Sequence, residues 1–249
     1  MPGSNGTSKP ALSVIVPVKD EAENVVPLAR EIAVALKAGP SSEIIFIDDG
    51  SRDRTVAELE ALKRELPSLR ILKHARNAGQ SRAIRTGVRA AHAPIIVTLD
   101  GDGQNDPADI AKLVSALEAD PTGRLGLVSG VRRQRKDTFG RRAASRLANG
   151  VRSRLLGDGA IDTGCGLKAF RRDAFLALPY FDNIHRYLIT LMLREGFEVG
   201  FVDVNHRPRL HGRSKYSNFH RMIVGITDLM GVRWLQRRFK ASVETEEIQ

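Results

Sequence analysis

The run Val97-Thr98-Leu99-Asp100-Gly101-Asp102-Gly103-Gln104 delivers two carboxylates, spaced i, i+2, from an apolar β-type segment into a small-residue turn. A carboxamide follows two positions later. On a sharply turning backbone that spacing aims two hard oxygen ligands at one divalent cation. The intervening glycines leave room for a bulky phosphate-bearing ligand. An isolated Asp-x-Asp is equally at home in a solvated turn, so its company decides the reading. Two further polar loops supply it: Pro17-Val18-Lys19-Asp20-Glu21 and Asp48-Asp49-Gly50-Ser51. Gathered on one rim, three acidic loops suit a metal together with the hydroxyl and N–H groups of a nucleotide. Asp49 or Ser51 also has the chemistry to cap a following helix.

The segments between these loops predict such a rim. Leu12 to Val16 is an apolar strand ended by Pro17, and Glu43 to Ile47, Arg70 to Lys73 and Pro94 to Leu99 read as further strands. Helical spacing marks Glu23 to Lys37, Asp53 to Leu66 and Gln80 to Ala91, and Pro107 opens another helix. A strand at Leu125–Gly130 follows. Strand–helix alternation with short connections predicts an α/β fold: a Rossmann-like, mostly parallel sheet flanked by helices, binding ligands at the carboxyl ends of its strands. Neither a Gly-x-x-x-x-Gly-Lys-Ser/Thr loop nor a Gly-x-Gly-x-x-Gly after the first strand is present.

At 249 residues, 42% hydrophobic and 27% charged, the chain suits one globular domain. That domain is expected over residues 10–240, with a nucleotide-binding half to 130, an acceptor and membrane-facing half from 131, and flexible tails at 1–9 and 241–249. The net charge of +10 and pI near 10.2 predict an anionic partner. Nine basic residues lie between Arg132 and Arg154 against one acid, Asp137, and further basic clusters run from Arg207 to Lys215 and Arg233 to Lys240. Aromatic content of 5%, with no recognisable motif, argues against nucleic acid. The lone Cys165 excludes an internal disulfide and reads as a small buried residue. No apolar window predicts a transmembrane span, so membrane contact is expected to be peripheral.

In order along the chain, four loops resemble the family-2 glycosyltransferases of the GT-A (nucleotide-diphospho-sugar transferase) fold. They are Pro17-Val18-Lys19-Asp20-Glu21, Ile47-Asp48-Asp49-Gly50-Ser51, Asn77-Ala78-Gly79-Gln80-Ser81-Arg82-Ala83 and Asp100-Gly101-Asp102. The second half is similar to the polyprenyl-phosphate, dolichol-phosphate mannose synthase-like branch. The carriers there are Asp100 to Gln104, Asp162 to Arg172 and Arg209-Leu210-His211-Gly212-Arg213-Ser214-Lys215. Gln80 departs from the Lys of many relatives. Met230-Gly231-Val232-Arg233-Trp234 lacks the Gln of the processive polymerases' Gln-x-x-Arg-Trp.

The resemblance implies inverting transfer from a UDP- or GDP-sugar to a polyprenyl phosphate, at the cytoplasmic face of a membrane. It implies Mg²⁺ or Mn²⁺ on Asp100, Asp102 and Gln104. Pro17, Val18, Asp20, Glu21, Asp48, Asp49, Ser51, Gly79, Asp100 and Gly101 would line the nucleotide-sugar pocket. Asp100, Asp102, Arg209 and Lys215 would carry catalysis, and Arg132, Arg133, Arg209, Ser214 and Lys215 would hold the acceptor phosphate. A lipid phosphate is already anionic and needs positioning by cations rather than a general base. The alternative, transfer to a saccharide hydroxyl, would require such a base. Ala143, Leu147, Val151 and Leu155 recur at i, i+4 between Phe139 and Leu156, flanked by arginines including Arg152. This predicts a basic amphipathic helix, set either against anionic lipid or into the core. His185 is open to a place near the sugar or a structural role. The sequence leaves the sugar and the oligomeric state undetermined.

Overall fold

The computed structural model describes residues 9–132, 150, 152–208 and 218–240, with only the backbone of 218–224. Four β-branched runs form the parallel half of the sheet: β1 (Leu12–Val18), β2 (Ser42–Asp48), β3 (Leu69–Lys73) and β4 (Ile95–Thr98). With β5 (Leu125–Val131), β6 (Lys168–Arg171) and β7 (Glu198–Asp203), the order is β3-β2-β1-β4-β6-β5-β7. β6 runs antiparallel to both of its neighbours, while β5 and β7 are parallel. The mostly parallel sheet expected from the alternation is present, with one reversed strand inserted in it.

Helices cover both faces. They are α1 (Ala22–Leu36), α2 (Thr55–Leu62), α3 (Gln80–Ala90), α4 (Ile110–Glu118), α5 (Arg172–Ala177), α6 (Leu188–Arg194) and α7 (Asn218–Arg238). The two-residue period of β1 sends Val14 and Val16 toward Val25, Ile32, Leu59 and Leu113. Ile15 goes the other way, toward Ile84, Val88, Phe175 and Leu191. α3 lies unusually close to the sheet, because a Cβ on Gly87 would stand 2.7 Å from side-chain atoms of both Ile15 and Ile47. No described helix is long and apolar enough to cross a membrane.

Two local expectations are corrected. β1 does not stop at Pro17 but continues to Val18, paired with Asp48 of β2. The Ile15 carbonyl accepts from Leu99 N on the β4 side, so Pro17's missing donor points the same way, past β4's last paired residue. Neither Asp49 nor Ser51 caps α2. Asp53 supplies the local acceptor, taking Thr55 N at 3.0 Å, and the helix ends at Leu62 rather than Leu66.

At the amino-terminal end of the strands, the buried Glu43 carboxylate accepts from Ser13 Oγ and His92 N, both at 2.7 Å, and from Arg70 Nη1. These donors outweigh its burial and hold its pKa below the usual carboxylate range.

Candidate active site

The carboxyl ends of β1, β2 and β4 open into a cavity of about 360 Å³. Its walls include Pro17, Val18, Lys19 and Glu21 after β1, Asp49 after β2, and Asp100, Gly101 and Asp102 after β4. The three acidic loops therefore share one rim, as ligand loops of a parallel sheet must.

The β1 and β2 loops are zipped together. Ser51 Oγ accepts from Asp20 N at 2.8 Å, and Asp20 Oδ1 from Arg52 N at 2.8 Å. Asp48 is fully buried, turned to Ser51 N at 3.3 Å and absent from the cavity wall. Its neighbour Asp49 is the one that faces the cavity. Its Oδ1 accepts from Ala78 N and His74 Nδ1 and its Oδ2 from Gly79 N, each at 2.8 Å. Gly50 makes this closure possible: its φ is +73°, and a Cβ there would lie 2.6 Å from Asn77 N.

On the β4 side, Asn105 Oδ1 accepts from Asp100 N at 3.0 Å, and Asp102 Oδ1 from Gln104 N at 3.1 Å. Burial first and the neighbouring Asp102 second raise the Asp100 pKa, against the pull of Lys168, Arg132 and Gln80. Two carboxylates crowded into a partly desolvated wall are a donor set that a divalent cation would relieve, so the residues present fit Mg²⁺ or Mn²⁺. Among the described residues no third His, Cys, Asp or Glu joins them, which leaves the remaining coordination to ligand oxygens. Gln104 lies off the cavity wall, its Nε2 3.5 Å from Arg207 O.

Several residues that sequence reasoning did not place in the site belong to this wall. Gln80 Nε2 donates to Asp100 Oδ1 at 2.9 Å, so this side chain orients a carboxylate. The buried Lys168, carried in by β6, donates to Cys165 O; burial lowers its pKa while Cys165, Asp100 and Asp162 oppose the shift. Gly166 packs so closely under Asp100 that a Cβ would fall 2.2 Å from Oδ2. Arg186 also lines the cavity, as does His185, which the sequence left open to a place near the sugar or a structural role. The Asp162 to Arg172 motif had marked this neighbourhood, but only the reversed strand brings it beside β4.

Arg132 is largely buried and gives Nε and Nη2 to Asp162 at 2.7 and 2.8 Å. Arg133, Arg209, Ser214 and Lys215 lie outside the described residues, as does most of the basic helix expected over Phe139–Leu156. Of that helix's arginines, Arg152 turns inward rather than toward headgroups. A buried carboxylate explains it: Asp158 takes Nη2 at 2.7 Å, Thr190 lies 3.0 Å away, and the guanidinium stacks over Tyr187. Arg207 fastens the chain just before 209 to the Asp102 loop, with N to Gln104 O at 2.9 Å and Nη2 to Asp106 at 2.7 Å.

Comparison with known proteins agrees with this architecture. The chain is 36% identical over 241 residues to a dodecaprenyl-phosphate galacturonate synthase from Rhizobium johnstonii, covering 93% of this chain and 70% of the relative. It is 34% identical over 208 residues to an undecaprenyl-phosphate 4-deoxy-4-formamido-L-arabinose transferase from Edwardsiella ictaluri, covering 82% of this chain and 62% of that one. A mannosyltransferase from Pyrobaculum calidifontis, solved in complex with GDP-Man and Mn²⁺, superposes with a TM-score of 0.66 at 22% identity, over 95% of this chain and 67% of its own. That likeness identifies the fold as GT-A. Residues 13–178 match the model for Glycosyl transferase family 2, and the chain belongs to that family.

Proposed function

We propose that the protein transfers a sugar, with inversion, from a UDP- or GDP-sugar to a polyprenyl phosphate, producing a lipid-linked sugar. One observation carries this reading: the division of charge along the cavity. Its described carboxylates, Glu21, Asp49, Asp100 and Asp102, all stand on the loops after β1, β2 and β4, while the lining drawn from residues 163–188 holds the cations Lys168 and Arg186 and no described carboxylate. A hydroxyl acceptor would call for a carboxylate base in that second-half lining; an acceptor that arrives as an anion calls for cations. Both curated relatives named above are named for polyprenyl-phosphate acceptors.

In this reading Asp49, its carboxylate oriented by three donors, accepts from the base or ribose, and Pro17, Val18 and Glu21 flank the nucleotide. Asp100 and Asp102 hold the cation, whose chemistry is to neutralise the departing diphosphate. Arg209, Ser214 and Lys215 clamp phosphate oxygens, with Arg132 and Arg133 on the acceptor side. Peripheral contact with an anionic membrane, its cytoplasmic face being part of the same proposal, is supported by α7. Its Ile226, Met230 and Trp234 are exposed at i, i+4 and i+8 beside Arg233 and Arg237.

The test is a transfer assay with undecaprenyl phosphate in liposomes, Mg²⁺ or Mn²⁺, and a panel of UDP- and GDP-sugars, the lipid fraction being read by mass spectrometry. A lipid heavier by one sugar residue is expected. Nucleotide release only on addition of soluble saccharides would overturn the reading in favour of a hydroxyl acceptor.

A further inference from the structure

Three consecutive residues in the first turn of α3 each brace a different part of the cavity. Gly79 N donates to Asp49, Gln80 Nε2 to Asp100, and Ser81 Oγ meets His185 Nδ1 at 2.7 Å. Across the sheet the strands run β2, β1, β4, β6, so the Asp49 loop, the paired carboxylates and then Lys168, which lies close enough to His185 to act on it, follow one another along the cavity. In a nucleoside-diphosphate sugar the diphosphate separates nucleoside from sugar. A ligand with its nucleoside at Asp49 and its diphosphate at Asp100 and Asp102 therefore brings its sugar to His185.

One nitrogen of the imidazole at that point is engaged by the protein. Ser81 Oγ, itself buried, also lies 3.5 Å from the His185 backbone N–H, which can only donate to it. A hydroxyl donates one proton and accepts two, so the arrangement in which it donates to Nδ1 puts the ring proton on Nε2. Nε2 has no hydrogen-bond partner among the described residues, while the residue lines the cavity. Burial, then the adjacent Arg186 and Lys168 on β6, hold the imidazole pKa down to about 3, so the ring is neutral at physiological pH. The charged groups that shift it are both cations, and Ser81 approaches it from α3.

We infer that His185 is a sugar-reading residue: its Nε2–H donates to an acceptor oxygen of the transferred sugar, and Ser81 is the positioning residue that sets this sense. A histidine presenting a proton to the cavity is not a general base for a hydroxyl nucleophile. The assignment rests on the nucleotide-sugar reading above and names the group that distinguishes the sugar from the bare nucleotide.

Calorimetric binding in Mn²⁺, without lipid, tests it, using UDP-galacturonic acid and UDP as the first pair and the panel's preferred donor with its own nucleotide as the second. His185→Ala should weaken nucleotide-sugar binding about tenfold, the loss of one hydrogen bond, and leave the bare nucleotide unchanged. His185→Gln, which keeps an N–H donor, should recover most of that loss and guard against a folding defect in the Ala variant. Ser81→Ala should give an intermediate loss, again confined to the sugar-bearing ligand. Transfer kcat/KM in the wild type should show no titration of this group between about pH 5 and 8. Equal weakening for sugar nucleotide and bare nucleotide would overturn the assignment. So would a Gln variant that transfers as slowly as Ala together with a wild-type acid limb near neutral pH, the signature of a base. Wild-type protein that binds neither member of either pair would instead overturn the transferase reading, and this assignment with it.

Discussion

Glu43 and Asp100 are carboxylates held against the same sheet, at opposite ends of its strands. Glu43, beside the amino-terminal end of β1, is met by Ser13, His92 N and Arg70, and its pKa is lowered. Asp100, at the carboxyl end of β4, has desolvation and a second carboxylate against it and only partial compensation from Gln80, Lys168 and Arg132, and its pKa is raised. The first environment is satisfied by the protein alone. The second would become favourable on arrival of a cation, which is the difference expected between a structural carboxylate and a ligand-binding one.

That contrast can be broken most severely at the β4 loop. Asp102→Asn should reduce lipid-linked sugar formation about a thousandfold by removing half of the cation's protein ligands. The same change should leave the thermal midpoint equal or higher without metal, since a like charge is gone, and should abolish the rise in midpoint that Mg²⁺ or Mn²⁺ gives the wild type. Rates measured from lipid extracts and a melting series with and without metal check both arms. Wild-type rates in Asp102→Asn would remove the cation from this loop.

Gly166→Ala tests the same carboxylate by sterics. The new Cβ would sit 2.2 Å from Asp100 Oδ2, so Asp100 must move. A displacement of that size is expected to cost about a hundredfold in kcat/KM with the fold intact, to be read by steady-state kinetics beside circular dichroism.

At the other end, Glu43→Ala should lower unfolding free energy by about 2–3 kcal/mol, toward the low side of splitting a buried pair because Arg70 is one-third exposed. Activity per folded molecule should hold. Denaturant titration gives the first value and active-site-normalised rates the second. The pH dependence sharpens the comparison. Because Glu43's folded pKa lies below its unfolded value of about 4.5, its contribution is present above that pH and is lost as pH falls through the folded pKa. Asp100, shifted upward, has the opposite sign: once its unfolded counterpart ionises, it detracts from metal-free stability. Acid titration of wild type against Glu43→Ala should show the wild-type advantage vanish at low pH.

Much of this division was legible along the chain. The strand–helix alternation from Leu12 to Leu99 pointed to the parallel half, and the loops after β1, β2 and β4 announced themselves by acids beside glycines. Of the adjacent Asp48 and Asp49, however, only burial shows which faces the cavity. Arg132 reads as a phosphate ligand along the chain, and only the fold shows that Asp162, thirty residues on, takes its guanidinium. Gln80 looked like a lost cation and is instead a donor to Asp100.

The sequence by itself determined the α/β class, the rim proposed to bind ligand and the carboxylates that stand on it. Those properties follow from local periodicity and from the rule that loops at the carboxyl ends of parallel strands share one side. Only the tertiary structure decided that four-residue β6 would enter the sheet in reverse, bringing Lys168 and Gly166 to Asp100, and that Ser81 would meet His185. These pairings join segments far apart in the chain, and desolvation sums over all such neighbours at once, so no local pattern carries them.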